Sequence, residues 1–177
     1  MKLNPQSYSA TETLPGGQLL RLRAIRPEDR VALRGEFLKL SKATVRDRFF
    51  SIKMDLTPAE LKYFTEVDFD QHVALVAEMK TDNGYQPAAV ARLVRKSGQP
   101  DHAEIAITVT DALQGKGIGK VMLRHLIDCA RDLGVRHIDA SVLAENKRMM
   151  HLIRDTGLPF DSSLQQGIQT ISVHLPA

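Results

Sequence analysis

The chain has no tryptophan, one cysteine among 177 residues, and no apolar run of membrane-spanning length. A single thiol cannot build a disulfide framework. With no C-x-x-C pair and no histidine–cysteine cluster, the spacing suggests no metal site. Of the six histidines, His72, His102, His125, His137 and His174 show no ligand spacing, and His151 reads as a helix-surface residue. The opening MKLNPQSYSATETLPGG has no apolar core, so no export signal is expected there. A cytoplasmic, reducing environment without a membrane partner is the expectation. Net charge is +3, a mild excess, and no basic run is interleaved with aromatics. Nucleic acid is therefore not an expected partner, though a polyanionic small molecule would be tolerated. No repeat or low-complexity tract interrupts the chain. At 43% hydrophobic residues and 25% charged it suits one domain, burying about two-thirds of its unfolded surface.

What is present centres on residues 103–119, AEIAITVTDALQGKGIG. Ile105, Ile107 and Val109 alternate with Glu104, Ala106 and Thr108, as a strand requires. After Thr110-Asp111 the chain passes through Gln114-Gly115-Lys116-Gly117-Ile118-Gly119 and enters a helical pattern. There Ile118, Met122, Leu126, Cys129 and Leu133 form an apolar stripe. A strand, a glycine-rich turn and a helix aim free backbone N–H groups and a helix dipole at an anion, usually a phosphate. Gly115 with Lys120 fails the G-x-x-x-x-G-K-[ST] spacing, and Gly115, Gly117 and Lys120 fail G-x-G-x-x-G. A nucleotide switch and a dinucleotide site are thus disfavoured.

Around this centre the chain alternates. Residues 1–17 read as an N-terminal arm, loose or folded as an edge hairpin, ahead of a single domain over 18–177. Residues 18–25 (QLLRLRAI) read as a strand. Pro27 opens a helix to about Leu40, with Val31, Leu33, Phe37, Leu38 and Leu40 directed to a core. Residues 41–51 read as a turn and second helix. Thr57-Pro58-Ala59-Glu60 caps a third. Residues 72–79 and 87–95 read as a hairpin around Asn83-Gly84. A strand at 136–143, a helix at 146–156 closed by Gly157, and strands at 160–164 and 168–175 complete the chain. The tail strands leave a homodimer open. The expected fold is α/β: a mixed, mostly antiparallel sheet of about seven strands with flanking helices.

Gln114, Gly117 and Gly119 match, position for position, the Q/R-x-x-G-x-G/A loop of the GNAT acyltransferases, and the chain resembles that family along nearly its whole length. Asn146 and Gly157 resemble its second signature. The blocks IRPEDR, DRFFS, LTPAEL, DFDQHVALVA, AEIAI, QGKGIG and LAENKRM resemble, in order, the bacterial GNAT domains that acetylate lysines of proteins such as acetyl-CoA synthetase. The resemblance implies acetyl-CoA as cosubstrate, held at Thr108, Val109, Gln114, Gly115, Lys116, Gly117, Ile118, Gly119, Lys120 and Asn146. It implies direct attack of an amine, a protein lysine being the favoured acceptor, and no metal.

A lysine ammonium has a reference pKa of about 10.4, so a base must take its proton. Glu104, ten residues before the glutamine, is the candidate general base, expected to be partly buried. Its other reading is an ion pair with Arg92. The family's thiolate-protonating tyrosine falls at Ile153, so that acid is absent. Cys129 reads as core, and Met149-Met150 as core rather than a substrate box. Two alternatives stay open: a small-molecule amine as acceptor (polyamine, amino acid or antibiotic), or a non-catalytic acyl-CoA-binding sensor.

Overall fold

The computed structural model describes residues 4–50 and 53–177. One sheet runs in the order β1 (Ser9–Thr13), β2 (Leu19–Ala24), β3 (His72–Thr81), β4 (Gly84–Lys96), β5 (Gln99–Val109), β6 (His137–Leu143), β8 (Ile168–His174), β7 (Phe160–Gln165). All neighbours are antiparallel except β5 and β6. The helices are α1 (Arg30–Lys39), α2 (Lys42–Phe49), α3 (Pro58–Thr65), α4 (Ile118–Asp132) and α5 (Lys147–Asp155). The α/β expectation holds, with eight strands rather than about seven. The added one is Ser9–Thr13, which pairs with β2 as an edge hairpin.

Local chemistry explains the elements. β3 and β4 turn through Asp82-Asn83, with Gly84 at φ +107°, so both strands run longer than their apolar cores suggest. Thr57 and Glu60 form the capping box that starts α3. Gly134, at φ +80°, follows the end of α4. Because β5 and β6 are parallel, a crossover must join them, and α4 is that crossover. Its stripe of Ile118, Met122, Leu126 and Cys129 packs on Val73, Leu75, Leu93 and Ile105. Burial pushes the Cys129 thiol up to about 12, so it stays protonated in the core.

On the other face α1, α2 and α3 enclose a smaller cluster of Phe37, Val45 and Leu56, with Leu33, Leu40 and Phe64 against it. Two expected core residues are elsewhere: Val31 is 78% exposed and Leu38 52%. The helical period explains this. Leu33, Phe37 and Leu40 share one stripe, whereas Val31 and Leu38, seven apart, share the opposite one. The part of the second-helix reading that falls on Ser51 lies outside the described residues.

Beneath α3, Arg92 of β4 is buried, donates to the Phe64 carbonyl at 2.6 Å and lies 4.5 Å from the Phe64 ring. Its neighbour His72 is also buried. Desolvation, with Arg92 and Arg48 nearby, lowers the His72 pKa to about 4, against the smaller opposing pull of Asp68. Below pH 6.5 the unfolded chain gains a proton at this histidine that the folded chain refuses until about pH 4. Stability from this group is full above pH 6.5 and drains away toward pH 4. A loss on the order of 2 kcal/mol across that window is expected, and His72→Gln should flatten that part of the profile. Urea melts at half-unit pH steps check it; an unchanged slope in the variant would refute the assignment.

Candidate active site

The parallel ladder between β5 and β6 has only three rungs, His102↔His137, Ala103↔Ile138 and Glu104↔Asp139. Beyond them β5 continues along β4 to Val109 while β6 turns to β8. The two strands part, and the backbone of residues 105–109 loses a partner on one side. A cavity of about 550 Å³ opens in this gap. Its walls include residues 105–109 of β5 and 140–142 of β6, the glycine loop, and the start of α5.

Two helix N-termini meet there. Gly117, at φ +89°, is the N-cap residue of α4, and Gly115 turns at φ +78°. These positive angles suit glycine and turn successive N–H groups toward one side. Gly119, in the first turn, is glycine for another reason: a Cβ there would stand 3.1 Å from Leu152 of α5. The Asn146 side chain caps α5 by accepting from the Met149 N–H at 3.3 Å.

Gln114 ties the loop down. Its Nε2 donates to the Val109 carbonyl at 3.1 Å and to Thr44 Oγ1 at 3.2 Å. Asp111 fastens α2 to the same corner, accepting from the Ser41 N–H, Ser41 Oγ and Thr44 Oγ1. Partial burial works to raise the Asp111 pKa, but those hydrogen bonds outweigh it and hold the carboxyl below its usual range.

The predicted residues Thr108, Val109, Gln114, Gly115, Gly117, Ile118, Gly119, Lys120 and Asn146 all line the cavity, and Lys116 does not. Lys120 reaches Asp155 at 3.7 Å. Glu104 is exposed, not partly buried, and stands one step along the strand face from Ala106, which is in the wall. The Arg92 pairing does not form, because Arg92 turns to Phe64 and His72. Among the described residues Glu104 keeps its carboxylate clear of ion pairs. Ile153 is buried. Met150 is core, whereas Met149 lines the cavity.

Sequence reasoning missed α2 as a wall: Thr44, Asp47 and Arg48 line the cavity. Val45 and Phe49, four apart, mark the helix face turned to α1 and α3, and nothing in the sequence marks the side that carries Thr44, Asp47 and Arg48. Burial pushes the Arg48 guanidinium pKa down. Arg48 and Thr108 also border a second, apolar cavity of about 130 Å³ beneath α1, with Phe37, Phe64 and Val90 in its walls. The two spaces thus share Arg48 and Thr108 in their walls.

A three-rung splay bounded by a glycine-capped helix defines an acyltransferase-type cleft, and the comparisons agree. The acetyltransferase (GNAT) family model matches residues 41–158. An acetyltransferase of Pseudomonas aeruginosa is 34% identical over 143 residues, 80% of this chain and 75% of that one. Acetyltransferase Pat of Mycolicibacterium smegmatis is 34% identical over 142 residues, 80% of this chain but 41% of the longer relative. The crystal structure of the GNAT domain of S. lividans PAT superposes with a TM-score of 0.84 at 30% identity, covering 94% of this chain and 97% of that one. The chain belongs to the GNAT acetyltransferase family.

Proposed function

We propose that the protein transfers the acetyl group of acetyl-CoA to a primary amine, with a protein lysine as acceptor and Glu104 as general base. The observation that carries the reading is the gap between β5 and β6, closed at one end by the α4 N-terminus. In it the pyrophosphate would lie on the N–H groups of residues 115–119, beside Lys120, with the pantetheine arm along Thr108 and Val109. Asn146 and the start of α5 form the other side.

The amine nitrogen attacks the thioester carbonyl, forming the C–N bond. Unpaired backbone N–H groups of the parted strand supply donors to the developing oxyanion. Glu104 accepts the amine's proton, directly or through water, and the C–S bond breaks. The CoA thiolate leaves and takes a proton from solvent, Ile153 offering none. An exposed Glu104 favours a large acceptor that brings its lysine in from outside.

A specific observation favours a second reading: the small apolar cavity beneath α1 shares Thr108 with the cleft and would admit a compact amine. Release of free CoA thiol from acetyl-CoA separates them. Bacterial proteins alone should drive release several-fold above background, with the acetyl group found on lysine by mass spectrometry. Release driven only by small amines moves the acceptor into the α1 cavity. Binding of acetyl-CoA without release under either condition leaves a sensor.

A further inference from the structure

The sequence scatters histidines at 102, 137 and 174 with no ligand spacing, and the fold gathers them. They occupy matched positions on three adjacent strands: His102 faces His137 across the first rung of β5–β6, and His137 faces His174 across β6–β8. The rings of His102 and His137 stack with centroids 4.3 Å apart. A nitrogen from each of these rings and a carboxylate oxygen of Asp101 lie within 4.8 Å of one another.

Their hydrogen bonds settle which nitrogens face outward. Asp139 accepts from His102 Nδ1 at 3.1 Å, which puts the proton on Nδ1 and leaves the Nε2 lone pair open. Asp161 accepts from His174 Nε2 at 2.7 Å, so the Nδ1 of His174 carries a lone pair. His137 Nδ1 lies 3.0 Å from that lone pair and donates to it, which leaves the His137 Nε2 lone pair open as well. Two carboxylates thus fix, one directly and one through an intervening ring, the tautomer that a metal-binding imidazole needs. Neither Nε2 has a partner among the described residues. Among the described residues Lys96, bound to Asp139 at 2.7 Å, is the one ammonium in contact with the group, against the three carboxylates of Asp101, Asp139 and Asp161.

We propose that Asp101, His102 and His137 form a binding site for a divalent transition ion of the zinc class, with water completing a tetrahedron. Two imidazoles and one carboxylate are a donor set such ions favour. One nitrogen of each ring already stands within 4.8 Å of the other and of the Asp101 carboxylate, which is exposed. The site lies at the shut end of the β5–β6 gap, on its first rung, away from the glycine loop. An ion there ties the two strands together where their ladder is shortest. It is a brace for the fold; because Glu104 stands two residues along the same face of β5, the site is tested by binding and stability and not by turnover.

Untagged protein, stripped with chelator and titrated with zinc sulfate by calorimetry, is expected to bind one ion per chain in the micromolar range. Zinc at about 100 times its Kd should raise the thermal midpoint by roughly 5–10 °C, and chelator should reverse the rise. Cobalt(II) should give the visible absorption of a tetrahedral complex. The double variant H102Q/H137Q should lose binding by more than about 100-fold. Should that variant fail to fold, D101N alters only an exposed side chain and is expected to weaken binding roughly tenfold or more. Absence of stoichiometric binding by the native chain, or unchanged affinity in either folded variant, overturns the proposal.

Discussion

Glu104→Gln is expected to lower the rate of acetyl transfer by roughly 100- to 10,000-fold while leaving acetyl-CoA affinity within about twofold. The amide keeps the shape and removes only the proton-accepting charge. Because Glu104 is exposed and makes no ion pair among the described residues, its loss strands no buried partner there. The fold should therefore be indifferent, and the thermal midpoint should stay put. Stopped assays across pH sharpen the test. An attacking amine becomes more deprotonated as pH rises, so the variant's residual rate should climb steeply toward the lysine pKa. Unchanged turnover in the variant would remove Glu104 from the chemistry. Attention would then pass to Asp47, the carboxylate that α2 presents to the cleft.

The second large effect is expected at Gly117. Its φ of +89° suits glycine, and a β-branched residue there is strained by about 1–3 kcal/mol. Gly117→Val should relieve that strain by swinging the loop to negative φ, which turns the N–H groups of the α4 N-terminus away from the cleft. Each hydrogen bond to a charged group contributes about 1.5–3 kcal/mol, so losing two should weaken acetyl-CoA binding by roughly 100-fold or more. The core, built by Met122, Leu126 and the central strands well away from the loop, should persist with a native far-ultraviolet spectrum. Calorimetry with acetyl-CoA decides the matter. Native affinity in a folded variant would show that the loop does not hold the phosphates.

These two residues also mark what the sequence could convey. The glycine loop was legible because its constraint is local: positive φ, close approach and helix start all fall within six residues. The alternation around Ile105 and the stripe of α4 were legible because burial imposes periods of two and 3.6. Glu104 was placed on the correct strand and face, but its exposure was not foreseen, since neighbouring alanines say nothing about what lies above them. The outward turn of Val31 and Leu38 was missed for a related reason. Apolar type alone does not fix burial, because α1 offers the core only the stripe of Leu33, Phe37 and Leu40. The histidine cluster was illegible because cross-strand register is non-local. Residues 35 and 37 positions apart along the chain become neighbours only when the crossover closes.

The three-rung ladder has a mechanical meaning. Seven hydrogen-bonded seams join the eight strands, and the fifth, between β5 and β6, is the shortest of all. The sheet is in effect two plates, β1–β5 and β6–β8–β7, riveted along a narrow margin and strapped by α4. A cofactor lying in the open part of the seam would touch both plates at once, completing with its own atoms the connection that the backbone leaves unfinished. Such a molecule would be mortar as well as reagent. Each round of turnover and release would then loosen and remake the joint between the two halves of the protein.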